Sequence, residues 1–339
     1  MHVQVNGRYL VQRLTGQQRY AHEIVSRLQS RLGIIAPPAK SRGMRGHVWE
    51  QLTLPRRIGH NLLWSPSTTG PLSVKRQVVT IHDCAFFDQA NCFSRAFAAW
   101  YQFLVPRLAR AARRIIAVSE FSKQRIVELC RLPAEKVTVI YSGVGKQFRP
   151  HAADEIAITR RKLALPERYI LCVGSLEPRK NLARLLPAWQ SIQPRLNDLS
   201  LVLVGAQSHV FRDIGLSKSP SGVHLAGYLD DELLPAVYAG AEFFVYPSIY
   251  EGFGLPVIEA MASGVPVLTS SVTALPEVAG DAAKFVDPLH IDSIAAGIEQ
   301  LAHDEQLRSE LRHKGLARAA QFDWERTAQE TWQVLESAA

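Results

Sequence analysis

The sequence predicts an α/β protein built from two doubly wound domains. Three observations lead there. Short apolar runs rich in β-branched residues alternate with helix-period segments along nearly the whole chain, which implies parallel strands covered by helices on both faces. At 339 residues the chain exceeds what one core ordinarily serves. The alternation breaks once, at Phe148-Arg149-Pro150-His151, where proline and polar residues interrupt both patterns.

Taken in order, residues 1–150 form the first domain, with strands expected at 3–5, 33–36, 62–64, 78–81, 115–118 and 137–140. Helical patterns lie between several of them, at 17–31, 94–111 and 120–130. Residues 151–322 form the second domain, with strands at 169–173, 201–204, 223–225, 243–246, 267–269 and 283–286. Its helices are expected near 181–194, 230–239, 256–263, 290–302 and 304–320, and residues 323–339 supply a closing helix. Two such domains would leave a cleft bordered by the carboxyl ends of both sheets, the usual ligand position.

Hydrophobic residues make up 47% of the chain, as a well-buried globular protein requires. No run of eighteen apolar residues suggests a transmembrane helix. The start, Met1-His2-Val3-Gln4-Val5-Asn6, lacks the basic and apolar regions of a secretory signal. Cys84, Cys92, Cys130 and Cys172 are scattered without a C-x-x-C, which reads as reduced structural cysteines of a cytosolic protein. The net charge of +8 is unevenly divided. Residues 1–150 carry 23 Lys and Arg against 7 Asp and Glu, a balance of +16; residues 151–339 carry 16 against 24, a balance of −8. A basic domain suits nucleic acid, anionic lipid or a phosphorylated substrate, or is simply a solvated surface.

The most informative segment is Tyr250-Glu251-Gly252-Phe253-Gly254-Leu255-Pro256-Val257-Ile258-Glu259-Ala260. It joins an apolar strand to a helix, with two glycines in the turn and two carboxylates eight positions apart. Glycine lets the backbone approach a ligand closely. Pro256 suits the first helical position, and the N–H groups there favour an anion such as a diphosphate. Glu259, one turn in, is placed to accept hydrogen bonds from sugar or ribose hydroxyls. The competing reading is an ordinary turn with Glu251 in solvent.

Val173-Gly174-Ser175-Leu176-Glu177-Pro178-Arg179-Lys180-Asn181 also joins strand to helix. Its glycine and two cations read equally well as a phosphate cradle or as a loop with solvated Arg179 and Lys180. His82, in Thr80-Ile81-His82-Asp83, ends a strand on the cleft side, where it could donate to a sugar hydroxyl, while Asp83 reads as a turn or cap residue. Gly16, in Leu14-Thr15-Gly16-Gln17, allows close approach at a helix start, with capping by Thr15 as the alternative. Ser119 reads as a helix cap. Leu203-Val204-Gly205-Ala206 ends a strand and is expected to shape the cleft floor. No Gly-x-Gly-x-x-Gly follows the first strand and no Gly-x-x-x-x-Gly-Lys-Ser/Thr occurs, which disfavours a nicotinamide dehydrogenase and a P-loop NTPase. No Asp-x-Asp occurs, which weakens any mechanism needing a carboxylate-held metal.

Together these motifs resemble the retaining glycosyltransferases of family 4 (glycosyl transferases group 1), mannosyltransferases among them. The Tyr-Pro-Ser-x-Tyr-Glu-Gly-Phe-Gly-Leu-Pro-x-x-Glu-Ala block is the specific part. Gly-Ser-Leu-Glu-Pro-Arg-Lys-Asn, Gly264-Val265-Pro266-Val267 and Leu275-Pro276-Glu277-Val278-Ala279-Gly280 reinforce it, and the likeness runs from about Gly7 to the end. The resemblance implies a GT-B fold, two Rossmann-like domains facing each other across a cleft, with the last helix returning to the first domain. It implies Glu251 beside the donor sugar, and Lys180 with Arg179 on the diphosphate. His82 would lie near the reacting carbon, and Gly16 would approach the diphosphate from the other domain. Gly174, Ser175, Gly252, Phe253, Gly254 and Leu255 would line the donor, with Glu259 on its ribose. It further implies retention by front-face displacement, no metal and no cofactor beyond the nucleotide-sugar substrate. The sequence departs from the family pattern at Ser175, where many members carry Arg, and at Ser142, where Asn is common. Diphosphate binding would then rest more heavily on Arg179 and Lys180.

The function expected is hexosyl transfer, first mannose from GDP-mannose, to a glycan or lipid-linked acceptor in O-antigen, capsule or exopolysaccharide assembly. UDP- or dTDP-linked glucose, N-acetylglucosamine or rhamnose stays open as donor. The basic half suggests peripheral contact with an anionic membrane on its cytoplasmic face. A sugar epimerase of the same fold is a second possibility and a non-catalytic binder of polysaccharide or nucleic acid a third. No helix-turn-helix, RNA-binding sheet motif or zinc site supports a nucleic-acid partner.

Overall fold

The computed structural model describes residues 2–12, 14–41, 43–196, 198–205 and 220–339. They fall into two compact units. Met1–Asp88, Arg95–Gly143 and Asp323–Ala339 make the first; Gln89–Ser94 and Val144–Phe322 make the second. The boundary lies at Gly143/Val144 rather than at residue 150. The Val144 N–H already donates to the Phe322 carbonyl (3.2 Å), and the Phe148 ring meets Tyr238 edge-on at 5.6 Å.

The first unit is a parallel sheet of β1 (Val3–Asn6), β2 (Leu32–Ile35), β3 (Leu62–Ser65), β4 (Gln77–Ile81), β5 (Arg114–Ala117) and β6 (Val137–Val139), in the order β2-β1-β3-β4-β5-β6. Its helices are α1 (Gly16–Leu28), α2 (Met44–Val48), a π turn (Trp49–Thr53), α3 (Leu54–Ile58), α4 (Ala85–Asp88), α5 (Arg95–Ala111) and α6 (Glu120–Cys130). Strands β3 and β4 are buried throughout, as expected of a sheet covered on both faces. Ser119 caps α6 by accepting the Ser122 N–H at 2.9 Å. The chain's last helix, Trp324–Ser337, packs on α1 in this unit. Arg27 pairs with Glu325 (2.9 Å), Tyr20 meets Trp324 edge-on (6.0 Å), and Thr327 donates to the Tyr141 carbonyl (2.8 Å).

The second unit holds β7 (Arg168–Val173), β8 (Leu199–Val204), β9 (Val223–Gly227), β10 (Phe244–Tyr246), β11 (Val267–Ser270) and β12 (Ala283–Val286), all parallel, in the order β12-β11-β10-β7-β8-β9. Read from the β9 side this is the 3-2-1-4-5-6 order of a dinucleotide-binding sheet, with its switch point between β7 and β10. Helices α7 (Ala153–Lys162), α8 (Leu182–Ile192), α9 (Leu234–Ala239), α10 (Leu255–Ala262), α11 (Leu275–Ala279), α12 (Ile291–His303) and α13 (Glu305–Ala319) complete it, and α14 is the Trp324–Ser337 helix of the first unit. Trp189, Leu185, Leu201, Val245, Leu268 and Ile298 meet in its core, each fully buried aliphatic side chain adding about 1.5–3 kcal/mol.

All twelve expected strands form within two residues of their predicted ends. The helices missed are short or lack a clear apolar stripe. Run 44–58 buries His47 and Glu50 along with Trp49, Leu54 and Ile58 and exposes Met44, Val48 and Leu52, so apolar side chains lie on both of its faces, and α7 buries no residue. One detail differs at α10: Leu255 takes the first helical position and Pro256 the second, because Gly254 serves as the N-cap. The four cysteines are buried thiols, and burial pushes the Cys84, Cys130 and Cys172 groups up, Cys130 to about 11.

Candidate functional site

Two loops leave the carboxyl ends of β7 and β10, on either side of the second sheet's switch point, and side chains from both meet there. The first, residues 174–181, starts at Gly174, whose φ of 154° lets the backbone turn sharply out of the strand. Its neighbour Gly205, at the end of β8, comes so close that an added Cβ would sit 1.8 Å from the Gly174 carbonyl oxygen. Ala206, the next residue, lies outside the described residues. Asn181 holds the far end of the loop in a left-handed conformation (φ 63°) and donates to the Pro247 and Pro288 carbonyls at 3.0 and 2.6 Å. The Ile249 N–H donates to the Arg179 carbonyl (2.9 Å), so the two loops are joined through their backbones as well.

Lys180 projects to the centre of this arrangement. Its Nζ donates to Glu251 Oε1 and to the Tyr246 hydroxyl, both at 2.6 Å, and lies 3.9 Å from Glu177 Oε1. Arg179 donates from Nη2 to Glu177 Oε1 at 2.7 Å and from Nη1 to the Tyr250 carbonyl at 3.4 Å, with its guanidinium 5.7 Å from the Phe93 ring. Neither cation is a solvated loop charge; each side chain is only 11% exposed. Glu251 is buried too and is fixed from its other side, where its N–H donates to Thr273 Oγ1 (3.2 Å). Burial alone would raise the Glu251 carboxyl. The charges of Lys180 and Arg179 outweigh it and hold the group below the ordinary carboxylate range. Burial, then Glu251, pushes the Tyr246 phenol well up, so it stays protonated.

These four charged groups balance, two carboxylates against two cations. At the start of α10 no side chain caps the helix and no acidic residue occupies the first turn, so its N–H groups carry the helix's positive end. Gly254 makes that start possible: its φ of 104° is reserved for glycine, and an added Cβ would meet Leu275 Cδ2 at 2.8 Å. Gly252 and Phe253 are buried in the preceding turn, with Phe253 edge-on to Phe322 at 5.7 Å, and Leu255 is half-buried. Glu259 is buried one turn further and accepts from the Tyr238 hydroxyl at 3.0 Å. Ser175 and Gly174 border a cavity of about 10 Å³ beside Lys180.

Gly16 and His82 belong to the first unit. Gly16 opens α1. Thr15 does not cap it; the Thr15 hydroxyl donates instead to Gln18 Oε1. His82 comes just after β4 and is 8% exposed, with the Tyr20 ring of α1 edge-on at 4.9 Å. Its Nε2 lies 2.8 Å from the Pro66 carbonyl oxygen. A carbonyl only accepts, so Nε2 carries the proton, and burial lowers the imidazole's pKa, keeping it neutral at pH 7. Nε2 is thus engaged as a donor, which leaves Nδ1 as an acceptor. Asp83 accepts the Ala85 N–H at 3.0 Å, a turn role.

Sequence reasoning missed Glu177, Tyr246, Tyr238 and Thr273. Glu177 was legible as the acidic residue beside two cations; the others are separated from their partners by 21 to 66 positions.

Residues 155–318 match the family described as Glycosyl transferases group 1, and residues 58–147 match Glycosyltransferase Family 4. The chain is 35% identical over 268 residues to O-antigen chain mannosyltransferase B of Escherichia coli, covering 77% of this chain and 70% of that one. It is 33% identical over 245 residues to the serotype-specific mannosyltransferase WbdA of Escherichia coli, covering 67% of this chain and only 29% of that longer protein. The crystal structure of Anabaena Alr3699/HepE in complex with UDP and glucose superposes with a TM-score of 0.79, covering 99% of each chain at 19% identity. Two parallel sheets of six strands, a charged cluster at the switch point and these likenesses lead to one conclusion: the chain belongs to the group 1 (family 4) glycosyltransferases, mannosyltransferase-like hexosyltransferases of the GT-B fold.

Proposed function

We propose that the protein transfers mannose from GDP-mannose, with retained anomeric configuration and without a metal, to a glycan or lipid-linked acceptor in cell-surface polysaccharide assembly. The observation that carries the reading is the buried Lys180–Glu251 pair at the carboxyl ends of β7 and β10. The mannosyl choice rests on the relatives named above; no residue here selects the base.

In this reading Lys180 leaves Glu251 for the donor diphosphate and, with the N–H groups at the start of α10, stabilises charge on the departing phosphate. Gly174, Ser175, Gly254 and Gly16 let the backbone lie close to it. The bond from the anomeric carbon to phosphate oxygen breaks as the acceptor oxygen bonds to the same face, and the acceptor's proton passes to the departing phosphate. Glu251, freed but still ionised, accepts hydrogen bonds from sugar hydroxyls beside the Gly252 and Phe253 N–H groups. His82 accepts one through Nδ1. Arg179 keeps Glu177 neutralised and adds positive potential. Glu259 takes the ribose hydroxyls next to Leu255, with Tyr238 orienting its carboxylate. The absence of an Asp-x-Asp supports a metal-free site.

Peripheral membrane contact on the cytoplasmic side is part of the same reading. Among the described residues no helix is long and apolar enough to cross a membrane. Run 44–58 exposes Met44, Val48 and Leu52 at four-residue spacing, together with Arg45, Arg56 and Arg57, a composition that favours an anionic interface.

The test is a panel of GDP-, UDP- and dTDP-sugars with and without magnesium, read by thermal shift and by transfer. A metal-independent shift selective for GDP-mannose is expected, with kcat falling about 10²- to 10³-fold in Lys180→Ala. Selective use of a UDP- or dTDP-sugar rejects the mannose donor. Full activity in both Lys180→Ala and Glu251→Ala rejects the site.

A further inference from the structure

The first sheet has its own switch point, between β1 and β3, where an open α/β sheet ordinarily leaves a crevice. Here the position is closed by a buried ion pair. Glu50, fully buried in the π turn, reaches the loops that leave both strands. Its Oε2 accepts from Arg8 Nη1 (2.9 Å), and its Oε1 accepts from Asn6 Nδ2 at the end of β1 (2.7 Å). Oε1 also accepts from the Thr69 hydroxyl (3.0 Å), which in turn accepts from Arg8 Nη1 (2.5 Å). Thr69 therefore bridges both charges, donating to one and accepting from the other.

What Thr69 anchors is unusual backbone. Thr68, its neighbour, is β-branched and sits at φ 65°, a region such residues avoid unless their surroundings enforce it. The enforcing bonds run in two directions. Toward the ion pair they pass through Thr69. Toward β4 the Thr68 N–H donates to the Thr80 carbonyl (2.8 Å), and Thr68 Oγ1 accepts the His82 N–H (3.4 Å). Two residues earlier, the Pro66 carbonyl accepts a hydrogen bond from His82 Nε2–H. A buried ion pair is weak support for stability, since well-packed apolar residues do as well or better. A tie that imposes one geometry on a strained loop is a role apolar residues cannot fill.

We propose that Glu50, acting through Arg8 and Thr69, is a positioning residue: it fixes the 66–69 loop and so holds His82 as its Nε2–H tautomer with Nδ1 free to accept. The consequence for transfer rests on the proposed function, in which His82 meets the donor sugar; the tautomer itself does not.

The experiment is two-bond ¹H–¹⁵N correlation on histidine-labelled full-length protein, with the His82 signals assigned by their loss in His82→Gln. Wild-type protein, Glu50→Gln, Thr69→Val and Thr69→Ser are compared, and GDP-mannose transfer is measured on the same samples. His82 is expected as the Nε2–H tautomer in wild type and Thr69→Ser, and as a mixture with appreciable Nδ1–H in Thr69→Val and Glu50→Gln. If Glu50→Gln does not fold, Thr69→Val decides alone, since it keeps the ion pair and the side-chain volume. An unchanged Nε2–H tautomer in folded Thr69→Val overturns the proposal. A kcat loss of about 10- to 100-fold at little-changed KM should accompany the tautomer change. Tautomer loss with unchanged kcat keeps the tie and removes His82 from the transfer site.

Discussion

Replacing Lys180 by methionine keeps the stem and removes the ammonium, which strands the carboxylate that faces it. Glu251 Oε1 loses a partner at 2.6 Å, and the other nearby cation, Arg179, is already bound to Glu177 at 2.7 Å. A buried carboxylate without its cation takes up a proton. Starting from its ordinary value of 4.5, keeping it protonated at pH 7 costs about 3 kcal/mol, and at pH 5 under ~1 kcal/mol, at roughly 1.4 kcal/mol per pH unit. The former agrees with the ~3–5 kcal/mol typical of a broken buried pair. In the wild type the sign is opposite. Glu251 is depressed on folding, so its contribution is complete above the ordinary carboxylate value and is lost as pH falls through the lower folded value. Lys180→Met should therefore be much less stable than wild type at pH 7 and nearly equal to it near pH 4.5. Adding Glu251→Gln should restore about 2 kcal/mol at pH 7, because no charge is left to neutralise. The assay is urea unfolding at several pH values, combined with hydrogen exchange of the β7 and β10 amides, which isolates the second unit from the first. A deficit independent of pH, or no recovery in the double variant, would refute the reasoning and leave Lys180 as a packing residue.

Tyr238→Phe removes the hydroxyl that Glu259 accepts from at 3.0 Å; donor KM should rise about tenfold with kcat unchanged, as loss of one charge-assisted bond in uniform binding requires. Gly205→Ala places a Cβ 1.8 Å from the Gly174 carbonyl oxygen, so that backbone must shift; circular dichroism melting should report a loss of about 1–3 kcal/mol, and donor KM should rise with it. Val48→Asp with Leu52→Asp, both at exposed positions, should abolish flotation with anionic vesicles at low salt while leaving thermal stability within about 1 kcal/mol of wild type.

The sheets were legible because their strands announce themselves locally. Runs such as 78–81 and 243–246 are apolar and β-branched, and they recur at the spacing of βαβ units. The helical run 44–58 was not legible, and the reason is physical: its inward face mixes His47 and Glu50 with Trp49, Leu54 and Ile58, while its outward face carries Met44, Val48 and Leu52. Periodicity reads hydrophobicity as burial. A segment that buries charged groups beside apolar ones and exposes other apolar side chains blurs that signal. The domain break shows a milder form of the same limit, since Pro150 marks where the pattern stops, whereas Val144 already belongs to the second unit and bonds to Phe322, 178 positions away in sequence.

The site was half legible for a related reason. Glu251, Lys180 and Glu259 lie in two contiguous segments whose glycines and prolines carry a local signature, so the sequence brings the segments forward. What turns them into a working cluster comes from elsewhere in the chain. Tyr246 and Glu251 reach Lys180 across 66 and 71 positions, because the sheet order places β10 beside β7. The same topology explains Arg179. Two adjacent cations in a glycine loop suggest two ligands for a diphosphate, yet folding directs Arg179 inward to Glu177 and Tyr250 and leaves Lys180 facing Glu251. Electroneutrality accounts for the division. A buried loop bearing two uncompensated cations would be costly in the absence of substrate, so each cation holds a carboxylate, and the Lys180 partner comes from the other loop of the switch point. In the proposed reading, a diphosphate that displaced Glu251 from Lys180 would do two things in one exchange: it would acquire a cation and free a carboxylate for the sugar attached to it.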